Sequence, residues 1–179
     1  MKKIAILIGG WHYPKEFYTQ VSKLKYPTGH DVDTFVISHR DIDLPIVHEE
    51  KKKILDKINK ETDLGKLDHE LYEHPLTKEY VKSLGFNLIE AENLFGDYYF
   101  INQWLELYDY NDYDYICFLH DDTYIADYNL VTDIIENRCE LFNRDNRKSE
   151  DSEWLMIFNT SAPNTTVPRG SFAFFKNSF

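Results

Sequence analysis

One stretch limits the fold more than any other: an apolar run, Ile116–Leu119, is followed at once by four polar residues. The run reads ICFL, which has the length of a strand, and a strand buried on both faces reads as continuous apolar residues. The polar residues after it are His120, Asp121, Asp122 and Thr123. Ligands of open α/β sheets bind outside the carboxyl ends of the strands. The stretch therefore predicts a buried strand that ends at a ligand site.

The rest of the chain supplies further strands and helices in alternation. Strands are predicted over residues 3–9, 31–37, 86–90, 116–119, 154–158 and 170–176. Helices are predicted over residues 14–24, 49–60, 77–84, 98–108 and 129–142. In the helix at 98–108, one side is expected to carry Tyr99, Ile101, Asn102, Leu105 and Tyr108. This order predicts an α/β fold with a mostly parallel, Rossmann-like central sheet flanked by helices, with short strands after the polar residues.

Length and composition predict one globular domain over residues 1–179. The formal net charge of −11 argues against a nucleic-acid partner, whereas a bound metal ion would still allow a nucleotide. The two cysteines form no Cys-x-x-Cys pair, which suits a reducing compartment, so a cytoplasmic location is expected. No run approaches the roughly 18 apolar residues of a transmembrane segment, and the N-terminal apolar run is too short for a signal peptide.

The polar residues after the run allow several interpretations. His120 and Asp122 stand two apart, so both can face one divalent cation that also binds a nucleotide diphosphate. A phosphohydrolase of the haloacid dehalogenase type needs a carboxylate two residues before its second aspartate, and His120 stands there instead. A His–Asp acid–base pair and a solvated turn are the other two interpretations. On these residues alone, the metal site and the turn stay open.

Two other strand ends carry residues that suit a ligand. Gly9 and Gly10 follow the first strand and permit close approach of the backbone to a ligand. Trp11, His12 and Tyr13 come next, and their rings could stack on a base or sugar or pack the start of the next helix. This segment is neither a Gly-x-Gly-x-x-Gly fingerprint nor a Walker loop. The second strand ends in residues 38–41, for which a ligand role and a solvated loop are both open.

With its neighbours, the polar stretch resembles a family element. Leu119–Thr123, LHDDT, looks like the Asp-x-Asp element of GT-A fold nucleotide-sugar glycosyltransferases of the family 2-like group, some of which carry Leu-His-x-Asp-Thr. Asn93, Gly96 and Asn102 are similar to the Asn-x-Gly…Asn segment that precedes that element. The strands at 3–9 and 32–41 occupy the places of the family's base-binding strands, and residues 169–175 look like its glycine-led strand on the acceptor side.

The resemblance implies a site and an activity. Asp122 would bind Mn²⁺ or Mg²⁺ with help from His120 or Asp121, and Asp121 is also the candidate catalytic base. The nucleotide would be contacted by Gly9, Gly10, Trp11, His12 and Asp41, with Asn102 near the donor. The implied reaction is inverting transfer of a hexose or deoxyhexose from a nucleoside-diphosphate sugar, with UDP expected, to a glycan or other hydroxyl acceptor. Residues 1–125 would form the donor-binding half and 126–179 a partial acceptor-side half.

Two rivals accompany this interpretation. A non-catalytic nucleotide-sugar or carbohydrate-binding domain of the same fold, or a donor-binding fragment of a longer enzyme, would show the same motifs. Members of the family usually carry the base beyond the glycine-led strand, and this chain ends at Phe179. A sugar-nucleotide pyrophosphorylase would need a basic, glycine-rich loop after the first strand, which Gly9–His12 does not supply.

Overall fold

The structure is a computed structural model, and it describes residues 1–10, 13–39, 41–43, 76–91, 99–121, 125, 127–136, 156–158 and 172–176. Among these residues, six strands form one sheet in the order β3-β2-β1-β4-β6-β5. The strands are β1 (Lys2–Gly10), β2 (His30–Ser38), β3 (Asn87–Glu90), β4 (Tyr115–His120), β5 (Met156–Phe158) and β6 (Phe172–Lys176). The first four are mutually parallel, and β6 joins β4 and β5 antiparallel. The predicted α/β class with a mostly parallel, Rossmann-like sheet is confirmed.

Helices cover both faces of this sheet. They are α1 (Lys15–Val21), α2 (Lys78–Ser83), α3 (Tyr99–Leu107) and α4 (Leu130–Ile135). The start of α2 is fixed by Thr77, whose hydroxyl accepts a hydrogen bond from the Tyr80 amide. Its end is followed by Gly85 at φ +76°, the left-handed conformation that closes many helices. The predicted helix at 49–60 lies outside the described residues, and within them no helix has the length and apolar character needed to cross a bilayer.

The core lies on both sides of β1. Its even-numbered residues, Ile4 to Ile8, pack with α1, α2 and α4, whereas Ala5 and Leu7 pack with α3 on the other face. All five side chains are at most 1% exposed. Burial of each large apolar side chain contributes about 1.5–3 kcal/mol, so burial on both faces anchors β1 firmly in the core.

The buried side of α3 differs from the prediction. Phe100 and Trp104, one turn apart, are fully buried, whereas Leu105 is 43% exposed. The Trp104 ring lies edge-on to Phe35 of β2, with 5.7 Å between the ring centroids. The side of the helix that was predicted is therefore not the buried one, although Ile101 packs at the margin of the core. The two large aromatic rings remove more apolar area from water than Leu105 does, and they set the rotation of the helix.

The strand order predicts one position in this sheet for a ligand crevice. From β1 the chain continues through β2 to β3 on one side, and it then crosses to β4 on the other side of β1. Such a reversal between neighbouring parallel strands leaves the crevice at their carboxyl ends uncovered by a direct connection. Here that position is the end of β1 next to the end of β4.

Candidate functional site

Three strand ends meet at this edge. In the register of the sheet, Gly9 of β1 lies beside His120 of β4, and Gly10 lies beside Ser38 of β2. The polar residues that the sequence placed after separate strands are therefore neighbours in space. This is the candidate functional site.

Asp121 is at the centre of the site and is only 1% exposed. Its amide donates a hydrogen bond to the carbonyl of Gly9 at 3.1 Å, which extends the β1–β4 pairing by one step. Its carboxylate Oδ2 accepts a hydrogen bond from the amide of Tyr13 at 2.7 Å. The carboxylate thus holds the backbone amide that lies two residues before α1, and a hydrogen bond of this length to a carboxylate is among the stronger ones in proteins.

The two glycines make room for side chains of the protein itself. A Cβ on Gly10 would lie 2.0 Å from Cγ of Asp121, and one on Gly9 would lie 2.4 Å from the ring of Phe100. Contacts this short do not occur, so both positions require a residue without a Cβ. The expected contact of Gly9 and Gly10 with a nucleotide stays a prediction.

Tyr13 connects the ends of β2 and β4 through hydrogen bonds. Its amide binds Asp121, its phenol oxygen shares a 3.1 Å hydrogen bond with Ser38 Oγ, and the amide of His39 donates to the same oxygen at 3.1 Å. Its φ of 53° is left-handed, which costs a residue with a side chain roughly 1–2 kcal/mol. Of the two interpretations of this ring, packing is confirmed, because Tyr13 is 2% exposed. No local sequence pattern marks this bridging role.

Asp41 lies beyond the end of β2 and is exposed. Its carboxylate is 3.0 Å from the ammonium of Lys78, which also pairs with Glu90 at the end of β3. Hydrogen bonds to Glu90 and then Asp41 raise the pKa of Lys78. Sequence reasoning missed Lys78, because it lies on a helix that only the tertiary fold brings to this edge. Contact of Asp41 with a nucleobase stays a prediction.

The remaining predicted site residues are divided between described and undescribed parts of the chain. Asn102 is exposed on α3. The side chain of His120 is 14% exposed, and its Nδ1 lies 3.8 Å from Oδ1 of Asp121. Outside the described residues are Trp11, His12, Asn93, Gly96 and Asp122.

The described residues partly fit the implied divalent cation. Within the described ranges, no three His, Cys, Asp or Glu side chains are grouped so that they could hold a metal ion. Oδ2 of Asp121 accepts the Tyr13 amide, so His120 is the better candidate ligand among the described residues. A site of few protein ligands suits Mg²⁺ or a similar ion that takes most of its ligands from phosphate and water. The fit therefore depends on His120 and on Asp122, which lies outside the described residues.

Comparisons with known proteins give a distant structural likeness and no match in sequence. No family model matches the chain, and no curated protein matches it. Among solved structures, the chain is similar to the crystal structure of S. aureus TarS 1–349, with 13% identity and a TM-score of 0.36. The match covers 77% of this chain and 32% of that one, so this chain spans about a third of its length. A likeness at this level carries no conclusion about activity.

Proposed function

We propose that this chain is a metal-dependent glycosyltransferase that binds a nucleoside-diphosphate sugar across the ends of β2, β1 and β4. The observation that carries the proposal is the neighbouring position of these ends at the reversal of strand order, with Gly9 beside His120 and Gly10 beside Ser38. This is the position at which open α/β sheets bind nucleotides. The LHDDT stretch carries imidazole and carboxylate groups, and these are ligand types for the divalent cation that would accompany the diphosphate.

The proposed ligand lies with its two halves at different strand ends. The base is placed near Asp41 and the end of β2, and the diphosphate near His120, with Asp122 and His120 as the cation ligands. The cation, when bound, would act as a Lewis acid that neutralises the departing diphosphate. An acidic chain with a net charge of −11 repels phosphates in the absence of such an ion.

The transfer itself exchanges one bond for another. The acceptor hydroxyl oxygen forms a bond to the anomeric carbon, the bond from that carbon to the phosphate oxygen breaks, and the diphosphate leaves with the electron pair. The hydroxyl proton passes to a base. We assign this base to no described residue, because the Asp121 carboxylate is buried and accepts the Tyr13 amide.

The same burial favours a second candidate, a domain that binds the nucleotide sugar without catalysis. A base must come within hydrogen-bond reach of the proton that it accepts. The sequence-predicted base, Asp121, is only 1% exposed, so a chain with this site and no other base would hold the donor and leave it intact.

Calorimetric titration with UDP, GDP and a panel of nucleotide sugars, in Mn²⁺, in Mg²⁺ and in chelator, tests the site. We expect binding that requires the metal and that weakens at least tenfold, about 1.4 kcal/mol, in Asp122→Ala and in His120→Ala. Asp112→Ala is the matched control, because Asp112 loses the same charge from an exposed turn at the opposite end of β4. Binding that needs no metal and ignores both substitutions would refute the proposal.

Release of nucleoside diphosphate, followed on a panel of hydroxyl acceptors, separates the two candidates. Metal-dependent release that grows with acceptor concentration supports the transferase. Metal-dependent binding with no release on any acceptor supports the binding domain.

A further inference from the structure

We infer that Asp121 is a positioning residue: through Tyr13 it holds the end of β4 at a fixed distance from the end of β2, so that the two halves of the ligand bind together. The inference rests on the proposed function, because it concerns the same site. It gives the most buried carboxylate of the described chain a task that is neither metal binding nor proton transfer.

The connection is continuous and shielded from water. Oδ2 of Asp121 accepts the Tyr13 amide at 2.7 Å, and the phenol oxygen of the same tyrosine reaches Ser38 Oγ and the amide of His39, each at 3.1 Å. Asp121, Tyr13 and Ser38 are 1%, 2% and 1% exposed. Hydrogen bonds in such a low-dielectric setting are stronger than those on the surface.

The backbone accommodates this connection at Gly10 and at Tyr13 itself. Gly10 leaves the space that the Asp121 carboxylate fills, with a Cβ there only 2.0 Å from Cγ. Tyr13 adopts a left-handed φ of 53°, a conformation that persists in a non-glycine residue only where surrounding contacts hold it. Gly10, Tyr13 and Asp121 thus all favour the same arrangement, in which the Asp121 carboxylate lies against Gly10 and binds the Tyr13 amide.

The substitution Asp121→Asn distinguishes a positioning role of this carboxylate from a role as catalytic base. Asparagine keeps an oxygen that can accept the Tyr13 amide, whereas alanine has none. A base that becomes asparagine loses its proton acceptor altogether. Asp121→Asn therefore retains a positioning role and abolishes a catalytic one.

The positioning role has a specific consequence for binding. Two linked fragments gain affinity from each other only when their sites are held at the separation that the linker spans. Uridine alone needs only the base site near β2, whereas UDP must also reach the end of β4. A weakened connection should therefore reduce the affinity for UDP more than the affinity for uridine.

The test is titration of UDP and of uridine with Mn²⁺ into the wild type, Asp121→Ala, Asp121→Asn, Tyr13→Phe and the control Asp112→Ala. We expect Asp121→Ala to lose about tenfold or more in UDP affinity and less than about threefold in uridine affinity. Asp121→Asn should recover most of the UDP loss, because the amide oxygen replaces Oδ2. Tyr13→Phe keeps its backbone amide and lacks the phenol oxygen, so it should also lose UDP affinity selectively.

Three results would overturn the inference. They are equal losses for UDP and uridine in Asp121→Ala, no loss for either ligand, and an Asp121→Asn variant that binds UDP normally yet has lost turnover. If Asp121→Ala does not fold, Tyr13→Phe tests the selective loss of UDP affinity, and Asp121→Asn is the variant expected to bind UDP nearly normally; equal losses for UDP and uridine in Tyr13→Phe then overturn the inference.

A separate measurement distinguishes failure of the proposed function from failure of the connection. If the wild type binds no nucleotide, the proposed function is wrong. Hydrogen exchange of the Tyr13 amide then tests separately whether Asp121 holds that amide. Faster exchange in Asp121→Ala than in Asp121→Asn supports it, and equal exchange in the two variants contradicts it.

Discussion

A methyl group added at Gly10 would enter space that the protein already fills. Gly10→Ala places Cβ 2.0 Å from Cγ of Asp121 and 2.2 Å from each of its carboxylate oxygens. The carboxylate cannot simply move outwards, because it is 1% exposed and its Oδ2 holds the Tyr13 amide. Either the strand ends shift apart, or the carboxylate leaves and the hydrogen bond breaks.

Both outcomes have known costs. Overfilling a packed site costs about 1–3 kcal/mol. Loss of a hydrogen bond to a charged group costs about 1.5–3 kcal/mol. Since the two relaxations partly replace each other, we expect a loss of about 2–4 kcal/mol in the free energy of unfolding. For a chain of this size that lowers the melting temperature by roughly 4–16 °C.

Urea denaturation followed by circular dichroism measures this loss. Gly29→Ala is the reference for a glycine-to-alanine change whose cost is backbone conformation alone: Gly29 has φ +82°, and a Cβ added there would meet no atom within 4 Å, so we expect a cost of about 1–2 kcal/mol. In Gly10→Ala/Asp121→Ala the methyl meets no carboxylate, so the double variant should be more stable than the sum of the single losses predicts, by about 1–3 kcal/mol. A Gly10→Ala variant within about 0.5 kcal/mol of wild type, or strictly additive losses, would refute the reasoning.

Three further predictions concern the core. Trp104→Ala removes a fully buried ring and should cost about 3–5 kcal/mol in urea denaturation, whereas Leu105→Ala on the exposed side should cost less than about 1 kcal/mol; equal costs would contradict the observed rotation of α3. Burial and the hydrogen bond to Asp33 raise the pKa of Tyr113, so the folded state keeps a proton that the unfolded state loses above about pH 10. Wild-type stability should therefore fall more steeply than that of Tyr113→Phe between about pH 10 and 11, and parallel urea midpoints would be evidence against this. Burial also raises the pKa of the Cys117 thiol, so peptide mapping after iodoacetamide treatment should find it alkylated slowly in buffer and fast in urea, and fast alkylation of the folded chain would contradict its burial.

The sheet was predictable because the sequence of its central strands shows that they are buried. Residues 4–8 and 116–119 are continuous apolar runs, and two-sided burial in a parallel sheet demands that pattern. The end of the helix predicted at 77–84 also has a local signal, because Gly85 follows it and a left-handed residue after a helix is usually glycine. The rotation of α3 was not predictable in this way. Its nine residues carry apolar side chains on more than one side, and contact with Phe35 selects among them.

For the candidate site, the sequence predicted which strand ends lie together, and it did not predict the contacts between their side chains. The rule that ligands bind at the carboxyl ends of strands led to Gly9, Gly10, His120 and Asp121, and the register makes them neighbours. The partner of Asp121 was not accessible to sequence reasoning, because Tyr13 lies 108 residues away and only the fold brings the two together. The roles assigned to Asp122, Trp11 and His12 stay predictions.

Strand β6 covers the side of β4 that faces away from β1, and its pairing runs from Leu119 with Phe172 to Tyr115 with Lys176. A polypeptide that stopped at residue 125 would present this row of N–H and C=O groups to solvent. Exposed strand edges recruit strands from other chains. Residues 1–125 expressed alone are therefore expected to self-associate through β4. In the longer chain, β6 prevents this by pairing with the same edge.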